Sequence, residues 1–492
     1  MNVTNESLFV LDDSFAQALP GLFVQWQPAP VPEPRLVALS DAVAAELGVD
    51  PVRLREPDGV AFLSGNWIPD GSNPIAMAYA GHQFGAYSPR LGDGRALLLG
   101  EVSNTAGHRI DLHLKGSGRT PFARAGDGKA VLGPMLREFL IAEAMRALGV
   151  PTARALAVVT TGERIMREGL RPGAVLTRIA SSHLRVGTFQ YAARLPEPDV
   201  LTKLADYTIE RHLPEAVGTA GRYLALLDSV IDAQAELVAR WMLLGFIHGV
   251  LNTDNTLVSG EGIDYGPCAF MDRYDPATVF SSIDHAGRYA YGNQPAIIHW
   301  NLARFAETLI PLVDDDPNAS IEALDERLHE FPERYRHHWE TGMQAKLGLT
   351  AASDDDAALF DDLLATLGEN NLDHTGTFRS LSGVPRGSKH GLPLSNSAKG
   401  TAWLTRWRAR LEDENRDPAE VAAGMDGVNP IYVPRNHLVE EALSAADAGN
   451  HGPFGHLLDV VTHPFDERVG LDQFTQPGPE GFTRGFQTFC GT

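Results

Sequence analysis

The amino-acid sequence predicts an α+β fold in which a small β-rich lobe precedes a large helical lobe, with an extension at each end of the chain. Alternating apolar and polar residues, separated by glycine turns, begin at Tyr87 and predict strands. From about Asp199 the apolar residues recur at helical spacing, most clearly between Tyr223 and Phe246. Strands followed by a long run of helices favour this two-lobed order.

The chain divides into four predicted segments. Residues 1–85 are rich in proline, contain one predicted helix at 40–47, and are expected to pack as an extension on the larger body. Residues 86–190 form the β-rich lobe and residues 191–345 form the helical lobe. Residues 346–492 are predicted to be a helical extension that ends in a glycine-rich tail.

The β-rich lobe has a clear order of elements. A glycine turn at 92–95 leads into a strand at 96–102, and the alternating segment 110–115 completes a β-meander. A loop rich in glycine and arginine runs from 116 to 133, and a predicted helix then ends at Gly149. Further strands are predicted at 155–160 and 174–179, and the later segment 256–258 is also strand-like.

Composition restricts the partners of the protein. The 492 residues carry a formal net charge of −22, and such a field repels nucleic-acid phosphates and anionic lipids. No apolar run approaches the roughly 20 residues of a membrane span, and residues 1–20 lack the basic features of targeting segments. We therefore expect a cytoplasmic monomer that binds neither nucleic acid nor membrane.

Candidate phosphate-binding residues lie in the β-rich lobe. The Gly92-Asp93-Gly94-Arg95 turn lets backbone N–H groups approach a phosphate, although the same pattern also occurs as a simple turn. Lys115 ends an alternating strand, and Glu138 lies on the first turns of the next helix. Their separation is close to that of the Lys–Glu pair that aims a lysine at ATP phosphates in protein kinases. A solvated strand lysine is the alternative.

The motif in the helical lobe is more specific. Kinases use His-x-Asp-x-x-x-x-Asn followed by Asp-Phe-Gly, where the Asn and the second Asp hold Mg²⁺ and the first Asp is the base. With His248 aligned to the first position, Asn255 falls on the metal-binding Asn and Asp264, in Asp-Tyr-Gly, on the metal-binding Asp. Val250 occupies the place of the base and cannot accept a proton.

Asp254 is the carboxylate nearest to the missing base. It precedes Asn255 and could orient or deprotonate an attacking hydroxyl if the nucleotide lies differently in the cleft. The alternative is a plain Asn-Thr-Asp-Asn turn held by side-chain hydrogen bonds.

Basic residues crowd the β-rich lobe of this acidic chain. Arg178 ends a predicted strand and Arg185 follows shortly after, a placement suited to clamping phosphates. Scattered surface arginines are the alternative. The full set is Arg95, Lys115, Arg119, Arg124, Lys129, Arg178 and Arg185.

Together these motifs resemble the selenoprotein O family of pseudokinase-fold adenylyltransferases over essentially the whole chain. The residues that carry the resemblance are Gly92 to Arg95, Asp111 to Gly118, Arg137-Glu138, His248 to Asn255, Ile263 to Pro267, and Trp300 to Leu302. The resemblance implies a protein-kinase-like two-lobed fold. It also implies ATP bound head-to-tail relative to kinases, so that the α-phosphate faces the nucleophile, AMP passes to Ser, Thr or Tyr hydroxyls of proteins, and pyrophosphate leaves.

The resemblance also assigns roles residue by residue. Asp254 is the implied base, Asn255 and Asp264 the implied metal ligands, and Glu138 the residue that orients Lys115. Mg²⁺ is the expected metal, and Mn²⁺ with UMP transfer from UTP stays open. The implied ATP contacts are Gly92, Gly94, Arg95, Lys115, Asp127, Gly128, Arg178, Arg185 and Asp264.

The two cysteines, Cys268 and Cys490, are too few for a disulfide framework and are read at first as two unrelated thiols. Because eukaryotic members of the resembled family carry selenocysteine near the C-terminus, the resemblance implies a Cys268–Cys490 disulfide. Such a bond would tie the tail across the cleft and make activity depend on redox state.

Two other functions stay open from the sequence. The first is an ATP-dependent phosphotransferase, which Val250 disfavours. The second is a catalytically silent nucleotide-binding pseudokinase that only binds partners.

Overall fold

The computed structural model describes residues 8–167, 169–197, 199–388 and 391–489. The strands are β1 (Phe23–Gln25), β2 (Arg35–Leu39), β3 (Ile75–Met77), β4 (Gly81–Gln83), β5 (Ala86–Ser88), β6 (Ala96–Ser103), β7 (Arg109–Lys115), β8 (Ala130–Val131), β9 (Arg154–Met166), β10 (Leu170–Ala180), β11 (Phe246–Ile247) and β12 (Ala269–Phe270).

The helices are α1 (Ser14–Ala18), α2 (Asp41–Glu46), α3 (Pro51–Arg55), α4 (Pro57–Ser64), α5 (Leu132–Ala147), α6 (Val186–Ala192), α7 (Asp199–His212), α8 (Arg222–Leu244), α9 (Gln294–Val313), α10 (Pro317–Leu328), α11 (Phe331–Lys346), α12 (Asp356–Glu369), α13 (His374–Leu381), α14 (Ala398–Asp413), α15 (Pro418–Asp426), α16 (Asn436–Asp447), α17 (Gly452–Val461) and α18 (Phe482–Gly485).

The central sheet is antiparallel and has the strand order β1-β3-β6-β7-β10-β9-β2, with β8 paired to β10. The predicted meander is present as β6 and β7. The two later strands of this region form one hairpin, β9 and β10, and both run further than the predicted segments. Their exposed outer halves lack the apolar alternation from which strands were predicted.

The N-terminal region supplies parts of the sheet as well as a cover for it. The predicted helix at 40–47 is α2, and the Ser40 hydroxyl caps its N-terminus. Strands β1, β2 and β3 and the short helices α3 and α4 were not predicted, because they are too short to show a period. Apolar residues of α2, α3 and α4 pack on one face of the sheet, and these include Val43, Leu54 and Phe62.

The opposite face of the sheet packs on the helices. Helix α5 lies against β9 and β10, and its apolar side joins the core that contains α8 and α9. The predicted helix at 223–246 is α8, which is bounded by Gly245 in the left-handed conformation. The chain then forms β11 and reaches His248, so the end of α8 positions the loop that follows.

The C-terminal region has its own apolar cluster, centred on the stacked indoles of Trp403 and Trp407. Arg435 ties this region to the segment after Asp264. Its guanidinium lies 2.7 Å from Asp272 and 2.7 Å from Asp373, and it is 1% exposed. A buried arginine between two carboxylates fixes the relative position of these segments.

The turn at 92–95 lies between β5 and β6, although β5 pairs with β4 rather than with β6. One local expectation was wrong. Residues 256–258 form no strand; Leu257 makes a single bridge to Arg185 instead. The observed fold is thus a mixed α/β protein with an antiparallel sheet and many helices. The proposed domain boundaries stay a prediction.

Candidate active site

Four charged side chains from separate elements meet in a cluster of two cations and two carboxylates, which we call the charged quartet: Lys115, Glu138, Arg178 and Asp264. The Lys115 Nζ lies 2.5 Å from Glu138 Oε2 and also contacts Asp264 Oδ1. Arg178 Nη1 lies 2.9 Å from Glu138 Oε1 and 2.8 Å from Asp264 Oδ1. The contact predicted between Lys115 and Glu138 is present, and Arg178 shares both of its carboxylate partners.

Strand register explains why the two cations meet. In the antiparallel pair β7 and β10, Arg178 lies opposite His113 and Leu176 lies opposite Lys115. Residues two apart on a strand share a face, so Lys115, His113 and Arg178 project on the same side of the sheet. Glu138 reaches that side from α5, which packs on the sheet.

Asp264 is held as a carboxylate. Burial alone raises its pKa, but the adjacent Lys115 and Arg178 outweigh burial and hold the pKa well below the usual range. Its backbone adopts a φ of 61°, in the left-handed region that non-glycine residues seldom occupy. Such a conformation persists where surrounding contacts enforce it, and here the carboxylate is fixed by two cations.

His113 connects the charged quartet to Asp93. Arg178 Nε donates to His113 Nδ1 at 3.2 Å, so His113 is neutral and its Nε2–H donates to Asp93 Oδ2 at 3.1 Å. The imidazole is fully buried, and its other face stacks on His183 at 4.4 Å. Burial lowers the pKa of His113, which keeps the ring neutral.

The glycine turn at 92–95 lies beside the end of β7. The Arg95 carbonyl accepts the N–H of Gly116 at 2.7 Å. Burial raises the pKa of Asp93, but His113 and Arg185 outweigh it and lower the pKa to about 2. Gly92 has a φ of 80°, and a Cβ there would lie 2.4 Å from the Phe122 ring, so glycine is required.

Arg185 is a buried cation between Asp93 and the aromatic ring of Tyr79. Its guanidinium carbon lies 4.5 Å from the ring centroid, and Nη1 donates to the His183 carbonyl at 3.1 Å. Within the described part of the chain, its buried Nε has no hydrogen-bond partner. This donor is therefore available to an acceptor that the described protein atoms do not supply, such as a water or a ligand.

Asp254 lies in a short 3₁₀ turn, Thr253–Asn255, and is 7% exposed. Its Oδ2 accepts a hydrogen bond from Gln83 Nε2 at 3.0 Å. Burial raises the pKa of Asp254 to about 6, so near neutral pH the group can both hold and release a proton.

The neighbouring Asn252 does not use its side chain to close this turn. Its Oδ1 accepts from the Tyr289 hydroxyl at 2.5 Å and from the Phe84 N–H at 3.2 Å. The side-chain oxygen of Asn252 is therefore engaged by distant segments, so contacts across the fold hold this loop in addition to its own local hydrogen bonds.

Asn255 and Asp264 provide oxygen ligands suited to Mg²⁺ or Mn²⁺. The Asn255 Nδ2 donates to the Val250 carbonyl at 2.9 Å, which leaves Oδ1 as the acceptor atom of this amide. Among the described residues there is no group of three or more His, Cys, Asp or Glu that could hold a metal ion. Two protein oxygens nevertheless fit a magnesium ion bound jointly with nucleotide phosphates and water.

Asp127 and Gly128 lie in the loop before β8, and their contacts are with residues outside the charged quartet. In the described structure the carboxylate of Asp127 bonds bidentately to Arg167, at 2.9 Å for both oxygens, and accepts from the Lys129 N–H. Gly128 has a φ of 74°, and a Cβ there would lie 2.2 Å from the backbone nitrogen of Arg119. Glycine is therefore needed to close this loop.

Cys268 is a buried free cysteine whose Sγ lies 3.1 Å from the Tyr265 carbonyl. Burial raises the pKa of this thiol to about 12. Its predicted partner, Cys490, lies outside the described residues, so the disulfide stays a prediction.

Several residues of the site were not predicted from the sequence. His113 was placed on the same strand face as Lys115, and that shared face was the available signal for its role. Asp93 was noted only as part of a turn. Tyr79 and Gln83 precede the first predicted strand, and no local pattern indicates that they reach Arg185 and Asp254.

Comparisons with known proteins identify the family of this chain. The family model described as protein adenylyltransferase SelO matches residues 12–462. A protein nucleotidyltransferase YdiU of Mycolicibacterium smegmatis is 54% identical over 498 residues, covering 100% of both chains. Another of the same name from Rhodococcus jostii is 56% identical over 497 residues, covering 99% of this chain and 96% of the relative.

A third relative with that name, from Cereibacter sphaeroides, is 54% identical over 486 residues, or 98% of this chain and 100% of its own. In the described parts of the chain, no helix is long and apolar enough to cross a membrane. The matched family model covers both the charged quartet and the Asp254 loop. The chain therefore belongs to the SelO family of protein adenylyltransferases, as its sequence motifs predicted.

Proposed function

We propose that this protein transfers AMP from ATP to Ser, Thr or Tyr hydroxyls of other proteins and releases pyrophosphate. The observation that carries the proposal is the position and state of Asp254. It is a buried carboxylate with a pKa of about 6, next to Asn255, whereas Val250 fills the place where kinases have their base. A proton acceptor is thus supplied from a different position, which fits a nucleotide that lies reversed in the cleft.

The triphosphate is gripped by the cations of the β-rich region. Lys115 and Arg178 are held on one face of the sheet by Glu138, and Arg185 adds a buried donor without a partner in the described chain. These features support a protein-kinase-like two-lobed arrangement with the nucleotide between the lobes. The proposed ATP contacts are Gly92, Gly94, Arg95, Lys115, Asp127, Gly128, Arg178, Arg185 and Asp264.

Asn255 and Asp264 would hold the metal, Mg²⁺ or Mn²⁺. When bound, the ion neutralises charge on the phosphate oxygens near the reacting phosphorus. Asp264 is suited to this because its pKa is held far below neutrality, so no proton has to leave before it can serve as a ligand.

The chain's own residues account for the transfer step. Asp254 accepts the proton of the acceptor hydroxyl as its oxygen forms a bond to the α-phosphorus. The bond between the α-phosphorus and the oxygen bridging to the β-phosphorus breaks, and pyrophosphate leaves with that electron pair. Lys115 and Arg178 stabilise the charge that collects on the leaving group. Gln83 fixes the carboxylate of Asp254 through its amide.

Redox control of this activity is part of the proposal. The Thr488 hydroxyl donates to the Pro267 carbonyl at 2.6 Å, and Thr488 also pairs with Ser281. Pro267 directly precedes Cys268, and Thr488 lies two residues before Cys490, so the tail runs close to the buried thiol. This proximity supports a Cys268–Cys490 disulfide that forms on oxidation.

Transfer of a radioactive label distinguishes the candidate functions. The purified protein is incubated with cell extract and Mg²⁺, with ATP labelled at either the α- or the γ-phosphate. Label from the α-position on proteins, with pyrophosphate release and loss of both in Asp264→Ala, supports AMP transfer. Label from the γ-position that appears only with the added protein and is lost in Asp264→Ala indicates a kinase, and no added label from either position indicates a silent pseudokinase. Parallel reactions with labelled UTP and Mn²⁺ measure the preference between AMP and UMP.

A further inference from the structure

The β4–β5 hairpin lies directly against the loop that carries Asp254. Its turn residues, Phe84 and Gly85, both have positive φ, as in a tight two-residue hairpin. Three successive hairpin residues contact three successive loop residues. The contacts are His82 N–H to Thr253 Oγ1 at 2.7 Å, Gln83 Nε2 to Asp254 Oδ2 at 3.0 Å, and Phe84 N–H to Asn252 Oδ1 at 3.2 Å.

A row of aromatic and cationic side chains continues outward from this hairpin. The His82 ring lies 4.9 Å from Tyr87 and 5.1 Å from Trp300. The Arg194 guanidinium lies 4.5 Å from the Tyr87 ring centroid. Each side chain in the row thus contacts the next, and the row begins at the hairpin that contacts Asp254, the candidate base.

Two more arginines flank Trp300. The guanidinium of Arg288 lies 4.9 Å from its ring and that of Arg304 lies 5.1 Å away. A Cβ at Gly85 would lie 3.6 Å from the Arg288 guanidinium carbon, so the hairpin tip also abuts Arg288. We call the surface made by Tyr87, Arg194, Arg288, Trp300 and Arg304 the arginine–aromatic face.

This face is positively charged on an acidic molecule. Arg304 pairs with Glu307 at 2.5 Å, but no ion pair to Arg194 or Arg288 is present among the described residues. The carboxylate of Asp284 accepts backbone N–H groups of Arg288 and Tyr289 rather than the guanidinium. With a net charge of −22 overall, three clustered arginines form a local exception beside the acceptor position.

The positive charges of these arginines affect the pKa of His82. Burial lowers the pKa of His82 first, and Arg304, Arg194 and Arg288 each lower it further. The three arginines reach this ring from α9, from the residues that follow α6, and from the loop before α9. They therefore act together on one patch.

Resting on the proposed function, we propose that the arginine–aromatic face binds an acidic segment of the acceptor protein and brings its hydroxyl to Asp254. Arginine, tyrosine and tryptophan are the residue types enriched where proteins bind proteins. Stacked guanidinium groups are pre-organised and keep their donors free for carboxylates. The substrates are thus hydroxyl-bearing segments flanked by Asp or Glu, and charge complementarity selects them.

The test uses fluorescent peptides with a central Ser, Thr or Tyr flanked by either Glu or Gln. Affinity is measured by anisotropy in the presence of Mg²⁺ and an ATP analogue that cannot be cleaved between the α- and β-phosphates. We expect the Glu peptides to bind about tenfold more tightly, since each exposed charge pair contributes roughly two- to fivefold. The double variant Arg194→Glu/Arg288→Glu should lose this preference, and the difference should shrink in high salt.

A control is Arg408→Glu, the same substitution at one exposed arginine of α14 with half the charge change of the double variant, which should leave both affinities unchanged. Equal binding of Glu and Gln peptides, or an unaltered preference in the double variant, would overturn the proposal. So would displacement of the peptide by a single-stranded oligonucleotide at similar concentration, or a changed affinity for the ATP analogue instead of the peptide. Because no AMP is transferred in this assay, its result is separate from the α-label test.

Discussion

His113 gives the sharpest prediction about the nucleotide site, because each of its ring nitrogens has one charged partner. Nδ1 accepts from Arg178 at 3.2 Å and Nε2 donates to Asp93 at 3.1 Å. We infer that His113 is a positioning residue that aims Arg178 at the phosphates. Two substitutions separate its contacts: Asn keeps a polar atom near the Nδ1 position, and Gln keeps one near the Nε2 position.

The structure sets the magnitudes. A hydrogen bond to a charged group contributes about 1.5–3 kcal/mol, so each variant should lose about that much unfolding free energy. His113→Asn keeps the acceptor for Arg178 and should retain nucleotide affinity within about threefold. His113→Gln keeps a donor for Asp93 but removes the acceptor of Arg178 Nε, so only the Nη1 contacts to Glu138 and Asp264 still position the guanidinium. This variant should raise the KM for ATP by about tenfold or more. His113→Leu loses both contacts and should therefore show the lowest stability and the weakest ATP binding of the three variants.

The assay combines urea unfolding with steady-state kinetics of α-label transfer for the three variants. The expected signature is a similar stability loss in His113→Asn and His113→Gln together with a difference in KM. Equal KM values in these two variants, or a larger KM in His113→Asn, would refute the positioning role and leave His113 a structural residue.

Three further predictions concern stability and metal. Lys115→Met should lower the unfolding free energy by about 3–5 kcal/mol because Glu138 loses a buried partner, and adding Glu138→Gln should restore part of it; additive losses in urea unfolding would contradict this. Lys346→Met should raise the unfolding free energy at pH 7 by about 4 kcal/mol, because burial lowers the pKa of Lys346 from 10.5 to about 7. EDTA should abolish label transfer without shifting the nucleotide-free unfolding midpoint, and a shifted midpoint would indicate a structural metal instead.

The sign of the Lys346 effect follows from linkage. Between pH 7 and pH 10.5 the unfolded chain binds a proton that the folded chain has released, so stability rises with pH in this window. The methionine variant has no such dependence, and its advantage over the natural chain should shrink as pH approaches 10.5. A gap that stays constant between pH 7 and pH 10 would show that Lys346 is not forced to give up its proton on folding.

The sequence predicted those parts of the fold that have a long period or a strong motif. Helix α8, the meander of β6 and β7, and the Lys115–Glu138 contact follow from spacing along the chain. Strands β1 and β3 have three residues each, too few to show alternation. They form because β3 pairs with the edge of β6 that β7 leaves open, and β1 pairs with β3. Their placement is a tertiary effect that no local pattern encodes.

For the candidate site, as for the fold, the sequence predicted some residues but not the long-range contacts between them. Arg178 was expected to clamp phosphates, but its shared bonds with Glu138 and Asp264 depend on strand register. Gln83 lies 171 positions from Asp254 in sequence, and its contact depends on the docking of the β4–β5 hairpin. Long-range contacts of this kind are fixed by packing, so a single sequence does not reveal them.

The central claim is that the α-phosphorus of ATP, rather than the γ-phosphorus, faces Asp254. It is tested most directly by a crystal structure of the protein with Mg²⁺ and an ATP analogue that cannot be cleaved between the α- and β-phosphates. We expect the α-phosphate between Asp254 and the proposed metal ligands Asn255 and Asp264, with the outer phosphates against Lys115 and Arg178. A γ-phosphate beside Asp254, with adenine in the position usual for kinases, would contradict it.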